Sequence, residues 1–247
     1  MIDIEPLPFE RIYMIASGQH YVGPSPGERN RLGGTDIYRV TRSTSVNYRS
    51  LLTRLASWVD SDIQEPPQNA YPRISDGTLV NPEDNYYPAV KDLVLPGVIH
   101  VAYMADYGPR WNEGIIDYQP PFLTKPFPSM VSLIDENGND LAGIRNVEIM
   151  VPVATYFPWN LRTGFAGGED ELTDFTGTFI PLQPDKKSGY SPDTRNDLKT
   201  LYKDFDDYMS KVNAAANELV GAGYLLGEDI PYLLQKAEER WKWVMGR

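Results

Sequence analysis

Apolar residues recur at helical spacing in three stretches of the chain. The first stretch begins at Asn47, runs through Val59 and ends before a Pro-Pro pair. The second runs from Leu198 to Leu219 and ends at Gly221 and Gly223, since glycine is common at helix C-termini. Asp229 is predicted to cap a third helix. We expect three helices, and we expect the first to pack its apolar stripe on a sheet.

Short apolar runs without helical spacing predict strands elsewhere. Residues 11–16 form such a run and are followed by Ser-Gly, so they predict a buried strand whose C-terminal end delivers His20. Strand-like runs also cover 93–103 and 147–156. The rest of 63–128 is dense in Pro, Tyr and Asn and predicts mostly ordered loop.

Polar residues 135–140 separate two further apolar runs, 130–134 and 141–144. The central Asn137-Gly138 is a strong signal for a β-hairpin. Acidic and amide side chains at every second position also resemble a calcium loop, but the distal bidentate Glu of such a loop is missing. We therefore expect a hairpin turn and no metal ion.

The composition is that of an acidic globular protein. Of the 247 residues, 41% are hydrophobic and 12% aromatic, which is enough to fill a core. The 34 acidic and 23 basic residues give a net charge of −11, the wrong sign for binding a nucleic-acid backbone or an anionic membrane. The chain has no cysteine, which excludes disulfides, thiolate nucleophiles and cysteine-ligated zinc. We expect no nucleic-acid partner and no cofactor.

Membrane and export signals are missing from the printed residues. Residues 1–6 lack the basic and apolar segments of a signal peptide. The longest apolar run, 93–104, is broken by Pro96 and Gly97 and is too short to span a bilayer. We expect no membrane-spanning segment, and the compartment of the protein stays open.

Two histidines are the candidates for acid–base chemistry. His20 is predicted to lie just past the C-terminal end of a buried strand, where α/β folds place their ligands and catalytic groups. A lone histidine is nonetheless more often structural than catalytic. His100 lies inside an apolar run, and we interpret it as a core or strand residue.

A serine nucleophile to accompany His20 is harder to find. The string Gly23–Gly27 matches G-x-S-x-G, but a nucleophile elbow needs a preceding strand and a backbone N–H on the residue after the serine. Pro26 has no N–H, so we interpret Ser25 as part of a surface loop. Ser17 could touch His20 in a turn, although a serine at a strand end more often bonds the local backbone.

Aromatic, amide and guanidinium side chains cluster at 156–162. Such a mixture can line a substrate-binding pocket or anchor a C-terminal lobe, and the sequence leaves both interpretations open. The candidate substrate-binding residues are Tyr156, Trp159, Asn160 and Arg162, together with Gln19 beside His20.

Three stretches of the chain resemble the bacterial α/β-hydrolase domain family. Ile12–His20 is similar to the family's final strand and catalytic-histidine loop, although Ser17-Gly18 stands where the family usually has Gly-Thr. Residues 48–80 are similar to its helix and the DGTLV segment that follows, and Val151–Arg162 (VPVATYFPWNLR) to its most specific signature. Residues 176–181 and the two C-terminal helices continue in the same order, so the resemblance covers nearly the whole chain.

The resemblance implies an α/β fold of which this chain is the C-terminal part. Residues 1–65 would supply the last strand, the histidine loop and a helix of an α/β-hydrolase-like core. Residues 66–247 would form a loop-rich α+β extension with a β-hairpin and two C-terminal helices. The family's nucleophile, acid and oxyanion-hole segments precede the histidine loop.

The resemblance also implies a chemistry, serine-type hydrolysis of an ester or related acyl bond with His20 as general acid and base. The serine that attacks the small-molecule acyl substrate would come from an upstream segment or a partner chain, and we expect no activity without it. A lone strand and helix should then leave a large apolar edge exposed. The alternative is a non-catalytic module that binds a ligand or partner through the aromatic cluster.

Overall fold

The described part of the chain forms five α-helices and seven short strands. The structure, a computed structural model, describes residues 3–20, 38–40, 44–61, 65–90, 93, 95–97, 101–164, 167–168, 171–173, 177–186 and 192–246. The helices are α1 (Ser45–Ser61), α2 (Val147–Met150), α3 (Leu198–Leu201), α4 (Phe205–Ala222) and α5 (Ile230–Met245). The strands are β1 (Tyr38–Val40), β2 (Leu79–Val80), β3 (Tyr103–Asp106), β4 (Phe122–Pro126), β5 (Val131–Ser132), β6 (Ala154–Phe157) and β7 (Gly177–Pro181).

The three predicted helices are present, one of them in two pieces. α1 covers the first apolar stripe, while the second stripe is divided between α3 and α4. The division occurs because the Asp204 carboxylate accepts from the Asp207 N–H at 2.9 Å and so caps a new helix. The prediction of one continuous helix is therefore wrong, although its end at Gly223, which has φ 84°, is confirmed.

Asp229 precedes α5 as predicted, but its side chain does not cap the helix. The carboxylate accepts from the Arg49 guanidinium of α1 instead, and Arg49 also pairs with Glu228. The predicted cap is therefore wrong: Asp229 Oδ1 is used in the ion pair, and its buried Oδ2 has no hydrogen-bond partner. This ion pair joins α1 to the start of α5.

The strands form three small antiparallel sheets. β1, β7 and β6 lie side by side in that order, β2 pairs with β5, and β3 pairs with β4. The strand predicted over 147–156 is right only at its end, since 147–150 form α2. Val147, Ile149 and all of β6 are buried, so this apolar run has no period that distinguishes a helix from a strand.

Residues 12–16 are extended, but they are not a buried strand. Tyr13 and Ile15 make isolated parallel bridges to Ala70 and Ile144. Ala16 is the only residue of this segment that is fully buried. The prediction of a buried strand is wrong because, within the described residues, the segment has backbone partners on one edge only.

The predicted hairpin turn is formed at 135–139. The Asp135 carboxylate accepts from the N–H groups of Asn137 and Asn139 at 3.0 Å each, and Ile134 and Asp140 make an antiparallel bridge. β5 pairs with β2 rather than with residues 141–144, so the two flanking runs do not form a long hairpin.

The core of the described structure lies in its C-terminal part, between α2, α4, α5 and the β6–β7 pair. Only Ala16 and Val46 among the buried hydrophobic residues precede Ile144. An ion pair between Glu148 and Arg240 (3.0 Å) is buried in this core. The extension therefore carries nearly all of the apolar interior.

α1 is buried on its polar side. Asn47 and Ser50 are fully buried; Asn47 exchanges two hydrogen bonds with Asn146 (2.8 and 2.7 Å), and Ser50 donates to the Gly223 carbonyl at 2.9 Å. The apolar stripe faces outward, with exposed fractions of 62% at Tyr48, 68% at Leu52, 45% at Leu55 and 76% at Val59. The prediction that the stripe packs on a sheet is wrong within the described structure, because hydrogen bonds fix the opposite side of the helix inward.

β3 and β4 form an arm in which every residue is exposed. A bulge between Tyr103 and Ala105 interrupts their pairing. Near the tip, the rings of Tyr107 and Trp111 stack with their centroids 4.5 Å apart. Residues 93–103 were predicted to be strand-like; this run is only partly described, and β3 begins at its last residue.

The described residues form a mixed α+β structure with small antiparallel sheets. The predicted hairpin turn and the two long C-terminal helices are present within residues 66–247. That these residues extend an α/β-hydrolase-like core stays a prediction. Residues 1–65 and 66–247 are joined by the bonds of α1, and their division into two units stays a prediction. Within the described residues, each helix is too short or too polar to cross a bilayer.

Candidate active site

A tight turn at residues 15–18 leads into the candidate site. The Gly18 N–H donates to the Ile15 carbonyl at 2.9 Å. Ser17 has φ 48°, in the left-handed region that few residues other than glycine adopt. Because such a conformation costs about 1–3 kcal/mol, the surrounding structure must hold it in place.

Asp140 holds this turn. Its carboxylate accepts from the Ser17 N–H at 2.5 Å, and its own N–H donates to Ser17 Oγ at 3.1 Å. Asp140 directly follows the hairpin turn 135–139, which is itself closed by Asp135. The extension therefore fixes the backbone just before His20.

His20 lies two residues beyond the turn, and its side chain is exposed. The segment before it is anchored by Ile144, whose N–H donates to the Met14 carbonyl at 2.7 Å and whose carbonyl accepts from the Ala16 N–H at 3.0 Å. An exposed imidazole on a fixed support can exchange protons with a group brought to it. Its catalytic role stays a prediction.

Gln19 packs its carboxamide against Gly177 of β7. A Cβ atom at residue 177 would lie 2.5 Å from Gln19 Nε2 and 2.2 Å from the Phe157 carbonyl oxygen, so only glycine fits there. Both polar atoms of the Gln19 side chain are buried, and neither has a hydrogen-bond partner. Buried polar groups of this kind are uncommon in native proteins.

Gly177 is also the point where the His20 loop meets the aromatic cluster. Asn160 Nδ2 donates to the Gly177 carbonyl at 3.4 Å, and Val40 of β1 lies opposite Gly177 in the β1–β7 pair. Two parts of the chain therefore meet Gly177: the Gln19 side chain, just before His20, and Val40 of β1. Two predicted site residues, Gln19 and Asn160, are brought together at this one glycine.

The other members of the cluster have different surroundings. Tyr156 is buried in the core, with its ring edge-to-face against Phe179 at 5.4 Å. Trp159 is half-buried and stacks on Phe157 at 5.0 Å, and Arg162 is exposed. Substrate binding by these residues stays a prediction, with Trp159 and Arg162 as the accessible members.

Burial shifts the ionisation of several groups around the turn. It raises the pKa of Tyr87, and the negative charge of Asp140 raises that pKa further. Burial raises the pKa of Asp135, although hydrogen bonds from backbone N–H groups and the charge of Arg145 oppose the shift. Burial and then the neighbouring Tyr224 raise the pKa of Tyr13 to about 12. In each of these groups, burial disfavours the charged form.

Two candidates from the sequence, Ser25 and His100, lie outside the described residues. Ser17 is buried, and its hydroxyl oxygen accepts from Asp140. Across the described ranges, we find no group of three or more His, Asp or Glu residues placed to hold a metal ion.

Asp140 and Gly177 are site residues that the sequence interpretation did not identify. Asp140 lies 123 residues from Ser17, and no local pattern links the two. Gly177 did carry a signal, because a glycine inside a strand often marks a close approach of another chain segment.

Comparison with known proteins identifies the family of this chain. A family model described as an alpha/beta hydrolase domain matches residues 10–235. This chain belongs to that family. The match to the α/β-hydrolase domain includes every candidate site residue and confirms the resemblance found in the sequence. No curated protein and no solved structure matches the chain.

Proposed function

We propose that this chain supplies the acid–base histidine of a serine-type hydrolase that acts on an ester or related acyl bond of a small molecule. His20 takes the proton of the serine hydroxyl during attack and returns it to the leaving group. The serine, the carboxylate and the oxyanion hole belong to another portion of the α/β-hydrolase domain, on an upstream segment or a partner chain.

The observation that carries this proposal is the strained turn that presents His20. Ser17 has a positive φ, and Asp140 holds it through two hydrogen bonds from a distant part of the chain. Backbone strain of this kind clusters at functional sites. A core histidine would not need such a support, and the His20 side chain is exposed rather than buried.

The alternative, a ligand-binding module without catalysis, has less support. Tyr156 and Asn160 are fully buried, and Asn160 holds the Gly177 carbonyl. These two side chains serve the packing of the extension. Only Trp159 and Arg162 of the predicted cluster are accessible to a ligand.

A fluorophosphonate probe tests the proposal, because this reagent labels activated serines whatever the substrate. We expect no adduct in the intact mass of the folded chain alone. We expect labelling of the hydrolase portion that carries the serine, once the two are combined. A single adduct on this chain alone would show that one of its own serines is activated and would contradict the proposal.

Separate substitutions of the two histidines distinguish a loss of catalysis from a loss of folding. They are made in this chain after it is combined with the hydrolase portion that carries the serine. His20→Ala should lower esterase turnover by at least about 10²-fold, which is the usual contribution of a positioned general base. His100→Ala is the matched control, because it removes the second of the two histidines in the chain. Retained turnover in His20→Ala would refute the role of His20.

A further inference from the structure

The arm formed by β3 and β4 has two long edges at which a further strand can pair. Among the described strands, β3 and β4 pair only with each other. No residue from 101 to 127 is buried. A two-stranded ribbon is marginally stable in water, and further strands with an apolar face stabilise it. The two free edges of the arm differ in whether they admit such a strand.

Three features of β4 oppose pairing at its free edge. Pro126 has no N–H to donate to a further strand. Lys125 carries a charge, and lysine on an edge strand opposes edge-to-edge pairing. The bulge also lies on β4, which has one residue more than β3 between the pairs Tyr103–Pro126 and Ala105–Leu123. Because a bulge bends the strand that carries it, the free edge of β4 is a poor template.

The free edge of β3 has none of these features. The Ala102 carbonyl accepts from the Phe127 N–H at 2.8 Å, and the Met104 carbonyl accepts from a threonine hydroxyl of β4 at 3.1 Å. Backbone groups of an extended strand alternate between its two edges, so the N–H and C=O groups of Tyr103 and Ala105 point away from β4. No other described strand pairs with them.

We propose that the free edge of β3 pairs with the same edge of a second copy of this chain, in an antiparallel four-stranded sheet with the order β4, β3, β3, β4. In the register centred on Met104, Tyr103 of each copy exchanges two hydrogen bonds with Ala105 of the other. The two Met104 side chains meet at the two-fold axis. This pairing goes beyond the proposed function and does not depend on it.

Charge supports a second copy as the occupant of this edge. The arm, residues 103–126, has three acidic and two basic residues, so its net charge is −1 in a chain of −11. One acid and one base of the arm, Asp117 and Arg110, already pair with each other. In the register centred on Met104, Asp106 faces Ala102 of the second copy. The two Asp106 carboxylates then lie about 14 Å apart along the strands, beyond the Debye length of about 8 Å at physiological salt.

Apolar side chains of the arm form a contiguous surface beside this edge. Leu123 lies opposite Ala105, Phe122 lies opposite Asp106, and the Phe122 ring is 4.7 Å from the Tyr118 ring between centroids. Between residues 103 and 126, seven large hydrophobic side chains are at least 38% exposed: Tyr103, Met104, Trp111, Ile115, Ile116, Phe122 and Leu123. Contiguous exposed apolar residues mark interaction surfaces.

The size of this surface indicates a weak dimer. A half-exposed large side chain offers on the order of 100 Å². Two arms can therefore bury an area at the low end of specific interfaces, which is about 1,200 Å² in total. We expect a dimer that dissociates on dilution and strengthens with salt, because salt screens the repulsion between two acidic molecules.

Charges placed at the two-fold axis test the register. Met104→Asp sets two carboxylates opposite each other in the dimer, and Met104→Lys sets two ammonium groups there. Each variant should dimerise at least about tenfold more weakly than the parent chain in sedimentation equilibrium, because like charges face each other. An equimolar mixture of the two variants should recover the dimer, which also shows that both are folded.

Leu123→Asp is the matched control for these variants. It also replaces an exposed apolar residue of the arm by aspartate. Its two copies lie on the outer strands of the proposed sheet, so it should weaken the dimer less than Met104→Asp does.

A cysteine at the two-fold axis gives a covalent readout, because the chain has no cysteine of its own. Directly opposed residues of an antiparallel pair have Cα atoms about 4.5–5.5 Å apart, a separation that a disulfide spans. Met104→Cys should therefore form a disulfide-linked dimer under mild oxidation, seen on a non-reducing gel. Lys125→Cys, on the outer strand, should form it far more slowly.

A parent chain that stays monomeric at every protein and salt concentration measured would overturn the proposal. A dimer that Met104→Asp leaves intact would do the same, because it must use another surface. If the chain alone is monomeric and the serine-bearing portion of a family member protects residues 103–106 from hydrogen exchange, the edge belongs to that portion and the proposal is wrong.

Discussion

Two glycines set how closely the His20 segment approaches the rest of the protein. Gly177 accommodates the Gln19 carboxamide. Gly143 has φ 84°, and a Cβ atom there would lie 2.5 Å from the Met14 carbonyl oxygen. The close approach at Gly143 lets Ile144 form its two hydrogen bonds to residues 14 and 16. Each glycine thus fixes a contact on which the turn before His20 depends.

We expect Gly143→Ala to lower the free energy of unfolding by about 2 kcal/mol or more, because the positive φ alone costs about 1–3 kcal/mol and the new methyl group meets Met14. Gly77→Ala is the control: Gly77 has φ 75°, but a Cβ there has no atom within 4 Å. Its loss should be smaller, and equal losses in urea unfolding would contradict a role for the Met14 contact.

Single residues also show the limits of sequence interpretation. The sequence pointed to His20 and Gln19 because they follow an apolar run. It could not pair Ser17 with Asp140, since that contact depends on how two distant segments fold together. The same limit applies to Asp229. The local pattern predicted a helix cap, but the Asp229 carboxylate accepts a hydrogen bond from the distant Arg49 instead.

Among the elements, α1 departs most from its sequence pattern. Its periodicity correctly predicted a helix, because apolar residues recur at the helical period. The same pattern wrongly predicted which face of the helix points inward. Asn47, Arg49 and Ser50 form hydrogen bonds with residues 66–247, so the apolar stripe faces outward. Periodicity identifies an apolar face but not the neighbour that covers it, and the described residues do not include such a neighbour.

Removal of the amide pair between α1 and α2 tests what anchors the helix. Asn47→Ala should cost about 1–3 kcal/mol, since it leaves the buried Asn146 amide without its partner. Asn146→Ala should cost a similar amount, and the double variant should cost clearly less than the sum of the two. Strict additivity in chemical denaturation would show that the two amides do not interact.

The molecule as a whole has an interior concentrated in its C-terminal part. Among the described residues, nearly all buried hydrophobic side chains follow residue 143, whereas the N-terminal part contributes the turn before His20 and α1. The large apolar edge that the resemblance implied stays a prediction, although α1 does expose Tyr48, Leu52, Leu55 and Val59. The sequence could not predict the split into antiparallel sheets, because the buried runs at 147–156 lack a distinguishing period.

Buried tyrosines predict how the whole protein responds to alkali. Burial raises the pKa of Tyr13 to about 12, and burial also raises the pKa values of Tyr202, Tyr208 and Tyr224. Below pH 10 these tyrosines are neutral in both the folded and unfolded states, so their contribution to stability is intact. Above pH 10 the unfolded chain loses protons that the folded chain keeps, so the free energy of unfolding falls as the pH rises.

Tyr13→Phe should make this fall shallower between pH 10 and 12, because phenylalanine has no proton to lose. Urea unfolding at several pH values measures the slope. Tyr86→Phe is the control, since Tyr86 is 94% exposed, and it should leave the slope unchanged. A parent protein whose stability does not change over this range would contradict the prediction.

The junction at Gly177 has a consequence for engineering. The Gln19 side chain contacts Gly177, and Val40 pairs with the same glycine. These two positions of the chain are therefore anchored at one point of β7. A segment with adjacent, fixed ends can be exchanged for one of another length with little entropic cost of closure. We therefore expect a change of chain length between these two contacts to leave the turn before His20 in place, because Asp140 and Ile144 hold that turn from elsewhere in the chain.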